Sequence, residues 1–308
     1  MASTVQKLMD RGLVPGAPLF LKCNVHYETI MGSHAYGVAD TSVKQKMPDF
    51  DVYGFAIPPK ELTFKHLTGW IPGFGEEPPG FELWQQQHIA DPGSGGQGKE
   101  WDIQIFGIVR FFELCRENNP NMIDSLFTAE DCVLHCTQIG RLVRDNRRLF
   151  LSKLCWKKFR GYAHAQLRKL NDKVPIGGRK EIVERFGYDV KFAYHIVRLF
   201  DEAEQIMLEG ELDLRRAKEV MKNIRRGDWT LDQLKAWVVD KDRALEAAYS
   251  GCKLPEKPAL EPLRKLLLEC LEAHYGSIDD CVAKTGWAES LLRDIDTLIQ
   301  SQRRKLYE

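Results

Sequence analysis

The chain has 308 residues, 44% of them hydrophobic and 29% charged, which suits one large or two ordinary globular domains and excludes wholesale disorder. No apolar run approaches the roughly 20 residues that span a bilayer, the start MASTVQKLMDRG lacks a secretory leader's apolar stretch, and eight cysteines without a small disulfide framework suit reduced thiols, so a cytoplasmic protein with no membrane partner is expected. Net charge is zero but segregated: 10 Lys/Arg face 17 Asp/Glu in residues 1–140, 16 face 5 in 141–198, and 18 face 22 in 199–308, so the middle segment predicts a polyanionic partner such as nucleotide phosphates or nucleic acid.

The first third reads as mixed α/β. A short helix is predicted over 4–11, then strands over 20–30 and 50–57, the latter stopped by Pro58-Pro59. Residues 66–99 are rich in Gly and Pro and read as a long mobile loop with one element at 81–89. A third strand is predicted over 101–106, followed by a helix that ends at Asn119-Pro120. From about 130 the pattern is helical. Over 151–170, Leu151, Cys155, Phe159, Ala163, Leu167 and Leu170 form an apolar stripe, and Lys158, Tyr162, Gln166 and Lys169 a polar face. Over 189–209, Phe192, Ile196, Leu199 and Ala203 point inward, and Lys191, His195 and Arg198 share the other side. Thr230 with Gln233 forms a capping box for a helix running to about Ser250. Helices at about 261–274 and 285–304 follow.

The chemistry concentrates in residues 31–57, MGSHAYGVADTSVKQKMPDFDVYGFAI. Gly32-Ser33 lies between a strand and a helical turn, where backbone N–H groups and a hydroxyl can hold phosphate oxygens. Asp49-Phe50-Asp51 opens a strand, so both carboxylates project to one side. At about 4 Å their repulsion is about 4 kcal/mol at an effective dielectric of about 20, and a divalent cation relieves it. Asp102 opens the next strand, with Gln104 and Phe106 on its face, and is the candidate third carboxylate of a two-metal site.

The order of these motifs resembles the DNA polymerase beta superfamily of nucleotidyltransferases, closest to the family associated with RNA repair in bacteria and their viruses. GSHAYG leads into DFDVYG as in that family, and the likeness continues through DIQIFGIVRFFEL, NNPNMIDSLF, KFRGYAHAQLRKL, KFAYHIVRLFDEAEQIMLEGEL and NIRRGDWTLDQL, over roughly residues 20–275. It implies an α+β fold, with a nucleotidyltransferase domain over 1–140 and a helical nucleotide- or nucleic-acid-binding domain over 141–275; residues 276–308, which have no counterpart in the family, are expected to form a helical extension. It implies that Gly32, Ser33 and His34 hold the triphosphate. Asp49, Asp51 and Asp102 would bind two Mg²⁺ ions, with Mn²⁺ as the alternative, and Asp102 would assist deprotonation of the attacking hydroxyl. Lys158, Tyr162, Gln166, Lys191, His195 and Arg198 would contact phosphates and base. The sequence departs from the family in carrying Pro48 where Ser is common, in a longer span between AYG and DFD, and in the 66–99 loop.

The expected reaction is Mg²⁺-dependent transfer of a nucleoside monophosphate from an NTP to a hydroxyl of an RNA end, tRNA or damaged RNA, with release of pyrophosphate. The alternatives are a protein or small-molecule acceptor, and a non-catalytic RNA-binding module. GSGGQGKE at 93–100 fails the phosphate-loop pattern at Glu100 and precedes a strand. Cys132, His135 and Cys136 lack a second ligand pair and read as thiols on a helix.

Overall fold

The structure, a computed structural model, describes residues 2–39, 49–93, 98–172, 178–276 and 295. Ser3 caps the first helix, α1 (Thr4–Asp10), accepting from the Gln6 amide at 3.0 Å. The strand expected over 20–30 divides in two. Leu21–Asn24 (α2) is a helical turn, with Leu21 N–H donating to Pro18 and Asn24 N–H to Phe20, both at 3.0 Å. Only Val25–Ile30 (β1) is extended. Of residues 21–24 only Leu21 is buried, so alternation never favoured a strand there. The chain continues through α3 (Gly32–Ala35), β2 (Asp49–Ala56) and α4 (Lys60–Thr63).

The Gly/Pro-rich stretch is more ordered than the composition predicts. Its second half is an edge strand, β3 (Leu83–Asp91), bonded to β4 (Lys99–Gly107). This strand is the element expected at 81–89, and its three glutamines, Gln85 to Gln87, suit an edge strand, which leaves polar side chains in water. Then come α5 (Ile108–Arg116), α6 (Pro120–Phe127, capped by Asn119) and β5 (Val133–Cys136). β5 corrects the helical reading of His135 and Cys136, which pair with Glu28 and Tyr27 across β1, whereas Cys132 is a buried thiol at the end of a short 3-10 turn, Glu130–Cys132. The partner strand decides this short segment over its local pattern.

The sheet order is β3-β4-β2-β1-β5, with β2 and β4 parallel and every other pair antiparallel. One face buries Val52, Ile103, Ile105 and Trp84 against Val5, Leu8 and Leu21 of α1 and α2. The other face, carrying Tyr27, Phe55 and Phe106, meets the helices.

Those helices are α7 (Gln138–Asp145), α8 (Leu154–Asp172), α9 (Gly178–Phe186), α10 (Val190–Glu209), α11 (Lys218–Arg226), α12 (Leu231–Gly251) and α13 (Leu260–Tyr275). α10 is the central one. Asp189 caps it by accepting from the Lys191 and Phe192 amides, and Ile196, Leu199, Phe200, Ala203 and Ile206 are fully buried. The apolar core runs without a break from Tyr27 to Leu271. The Thr230/Gln233 capping box is present at the start of α12. α13 returns to the sheet, where its Tyr275 hydroxyl donates to the Pro58 carbonyl. The helix expected over 285–304 falls, residue 295 apart, outside the described residues. The architecture is α+β: a small mixed sheet followed by helices. Among the described residues, no helix is long and apolar enough to cross a membrane.

Candidate functional site

Parallel pairing of β2 and β4 places Asp49 beside Glu100 and Asp51 beside Asp102. Paired residues of neighbouring strands share a face, so four carboxylates occupy one patch at the start of the two strands. Phe50 and Trp101 turn to the opposite face, their ring centroids 5.2 Å apart. Tyr53 and Gln104 extend the acidic face further along the strands.

The turn after β1 closes on this patch. The Met31 amide donates to the Asp51 carbonyl at 2.7 Å. Gly32 has φ +65°, and a Cβ placed there would lie 2.3 Å from Asp51 Oδ2. Only glycine lets the carboxylate reach the backbone of this turn. Ser33 and His34 follow, and the His34 ring stacks on Phe50 at 4.6 Å.

Burial, with the charges of Asp49 and Asp102, raises the Asp51 carboxyl above its ordinary range, and Lys191 opposes the rise. Burial lowers His34, against the pull of Asp49. The repulsion among these acids and their all-oxygen donor set fit a hard divalent cation of the Mg²⁺ or Mn²⁺ kind. Asp49, Asp51 and Asp102 would hold it.

Behind Asp51 lies a cleft of about 220 Å³. Gly32, Asp51, Tyr162, Gln166, His195 and Arg198 line it, so the structure brings six of the sequence-predicted residues together, from the first turn, β2, α8 and α10. Tyr162 is 43% exposed and Gln166 is buried. Ser33, His34, Lys158 and Lys191 do not line the cleft, and Lys158 is exposed on α8. Arg198 does not share a solvated face with Lys191, as the helical spacing predicts. It is 3% exposed, and its guanidinium bonds Asp124 and Tyr36. A larger groove, about 730 Å³, lies between the C-terminal ends of α10 and α12 and contains none of the predicted residues.

Residues that the sequence reading missed also border the site. Tyr36, Tyr53 and Asn121 line the cleft. His88 sits in a bulge of β3 with φ +55° and donates its amide to Asp102 Oδ1 at 2.7 Å, and its Nδ1 meets Glu100 Oε1 at 2.5 Å. The ligand atoms of His88, Glu100 and Asp102 lie within 4.8 Å of one another. The spacing Glu100-Trp101-Asp102 repeats the acid-x-acid pattern of Asp49 to Asp51, a signal available in the sequence. The bulge that brings His88 there left no such trace.

No curated protein matches the sequence. Among solved structures, 98% of the chain aligns with 91% of a nucleotidyltransferase-like protein from Exiguobacterium sibiricum 255-15, at 9% identity and a TM-score of 0.27, too distant to carry an argument. The profile of the RNA repair pathway DNA polymerase beta family matches residues 18–268, and the chain belongs to that family.

Proposed function

We propose that the chain transfers a nucleoside monophosphate from an NTP to a hydroxyl of an RNA end, tRNA or damaged RNA, releasing pyrophosphate. The observation that carries this reading is the contact of Asp51 with the Gly32 turn, with Asp102 beside it in register. One backbone feature that can take phosphates thus adjoins one carboxylate patch that can take cations. The Gly32 and Ser33 amides, with the Ser33 hydroxyl, hold phosphate oxygens. Asp102, whose Oδ1 accepts from the His88 amide, would accept a proton from the acceptor hydroxyl. Asp49, Asp51 and Asp102 would hold two Mg²⁺ ions, or Mn²⁺, which would supply charge neutralisation of the phosphates and activation of the attacking oxygen. Tyr162, Gln166 and His195 offer a stacking ring and polar groups to the nucleotide in the cleft.

In this reading residues 1–140 carry the chemistry and 141–275 the binding surfaces. An RNA acceptor is favoured by α8, which has no acid before Asp172 and exposes Lys157, Lys158, Arg168 and Lys169. A cytoplasmic setting fits the seven described cysteines, all free. Incubation with each labelled NTP, Mg²⁺ and either RNA or protein tests the reading. Label on RNA supports it. Label on protein moves the acceptor, and RNA affinity without transfer makes the chain a binding module.

A further inference from the structure

Where α10 crosses α6 and the segment after α3, three ionisable side chains are buried together. Asp124 is 0% exposed, Glu202 1% and Arg198 3%. Arg198 Nη1 donates to Asp124 Oδ2 at 2.7 Å, and the Tyr36 hydroxyl donates to the same oxygen at 3.0 Å. Arg198 also donates to the Tyr36 hydroxyl, and its guanidinium lies 4.5 Å over the Tyr36 ring. These contacts balance Asp124. Glu202, one helical turn along, adds a second carboxyl with Oε1 3.7 Å from Arg198 Nε, too far for a hydrogen bond.

Four atoms of the cluster are buried without a hydrogen-bond partner: Asp124 Oδ1, Arg198 Nε and both oxygens of Glu202. One guanidinium cannot balance two carboxylates, and an unbalanced charge in a dry interior carries a large desolvation cost. One proton answers both counts. It makes the cluster neutral and turns one of the three orphaned carboxylate oxygens into a donor.

We propose that Asp124 and Glu202 share a single proton in the folded protein, and that Glu202 is thereby a positioning residue for Arg198 and Tyr36 in the wall of the cleft. The role in the cleft rests on the nucleotidyl-transfer reading; the shared proton does not. Burial pushes Asp124 well above the ordinary carboxylate range, with the charge of Glu202 adding to it. Burial pushes Glu202 up to about 8, opposed by Arg198 and aided by Asp201.

Among the described residues, Arg198 is the cation that faces Glu202, and no second one reaches it from the elements packed on α10. On α8, Cys155 bonds Asn118, and the His164 ring lies edge-on to Phe200, close to Asp242. Arg185 of α9 lies over Phe186 and Arg225 of α11 over Tyr194. Lys241 of α12 pairs with Glu204. On α10 itself, Asp201 accepts from Gln205 at 2.7 Å. Loss of the proton leaves a bare negative charge behind Tyr36, where the reading places an anionic nucleotide.

The test is equilibrium unfolding of the full chain from pH 4 to 9.5, for wild type, Glu202→Gln and Asp124→Asn. The folded-state Glu202 carboxyl is raised, so its stabilisation is fully present below about pH 4.5 and is lost as pH rises through about 8. The folding constant of wild type relative to either amide variant therefore falls about tenfold per pH unit between about pH 5 and 8, then levels off. Parallel pH curves for all three proteins overturn the shared proton. The second readout is the KM, with Mg²⁺, for whichever NTP is transferred. In wild type it rises above pH 8 while kcat changes little, and in Glu202→Gln it keeps its pH 7 value to pH 9. An unfolding slope with a constant KM overturns the positioning role alone. Absence of transfer with every NTP removes that role along with the reading, and the unfolding slope still decides the proton.

Discussion

Gly32→Ala isolates the contact on which the site depends. The methyl group would meet Asp51 Oδ2 at 2.3 Å, and the nearest atom of that carboxylate must retreat by about 1 Å to reach ordinary contact. The Met31–Asp51 main-chain bond resists a shift of the turn itself. Two costs follow. Placing a non-glycine residue at φ +65° destabilises the fold by about 1–2 kcal/mol. On the proposed function, displacing the Asp51 carboxylate by about 1 Å lowers the rate on the order of 10²-fold. The two separate experimentally, because the strain appears in urea unfolding and the displacement in transfer of label from NTP under saturating Mg²⁺. Ser33→Ala is the control: it keeps the turn and the carboxylate in place, so its loss is confined to nucleotide KM. A Gly32→Ala protein that is folded and transfers label at the wild-type rate refutes the placement of phosphates and carboxylate on this turn.

Three further outcomes are expected. Asp51→Asn raises the melting temperature of the metal-free protein at neutral pH, because the raised carboxyl loses its stabilising contribution as pH climbs through its folded value; the same change abolishes both transfer and the stabilisation that Mg²⁺ gives wild type, which differential scanning fluorimetry reads directly. Lys158→Glu with Lys169→Glu weakens RNA binding at low salt and reduces the slope of log affinity against log salt by about 1–2, while leaving the melting temperature within about 1 °C, since both side chains are exposed. His26 is held down to about 3 by burial, with His274 and His135 adding to it, so its contribution to stability is present above about pH 6.5 and is lost as pH falls towards 3; His26→Asn flattens the acid limb of the unfolding curve, and an unchanged limb rules out this histidine as its origin.

What could be read without coordinates follows from the range of each interaction. The carboxylates of Asp49 and Asp51 share a face by strand alternation alone, and the stripe Cys155, Phe159 and Ala163 follows from helical period. Both are local. Whether Asp102 would stand beside Asp51 depended on strand order, which a parallel β2–β4 pair decides across 51 residues of sequence. Arg198 shows the limit in the other direction. Helical spacing grouped it with Lys191 and His195 on the side away from the apolar stripe, yet α10 is covered on nearly every side, and a polar residue on such a helix is buried with partners from elsewhere. Tyr36 and Asp124 had no local reason to be those partners. His88 is harder still. It reaches Asp102 through a left-handed residue in a bulge, and bulges arise from pairing, not from the run of residues within one strand.

The fold places carboxylates together twice, and treats them oppositely. At the mouth of the sheet, Asp49, Asp51, Glu100 and Asp102 lie at or near water, where a mobile cation can enter and leave. Their repulsion is therefore available to ligand binding, since whatever neutralises them gains the energy that the empty patch stores. Beneath the cleft, Asp124 and Glu202 are shut away with Arg198, where no hydrated cation can reach without opening the helices. Their balance has to be internal, through the guanidinium and a proton. Tyr36 links the two regions: its backbone follows directly on α3, its side chain lines the cleft, and its hydroxyl bonds Asp124 and Arg198. A change in the buried charge would thus act on the phosphate turn through one side chain, whereas a change at the mouth acts on it through the Asp51–Gly32 contact. Combining Gly32→Ala with Glu202→Gln measures the independence of these routes: two separate paths require that Glu202→Gln remove the rise in KM above pH 8 as fully in the Gly32→Ala background as in wild type.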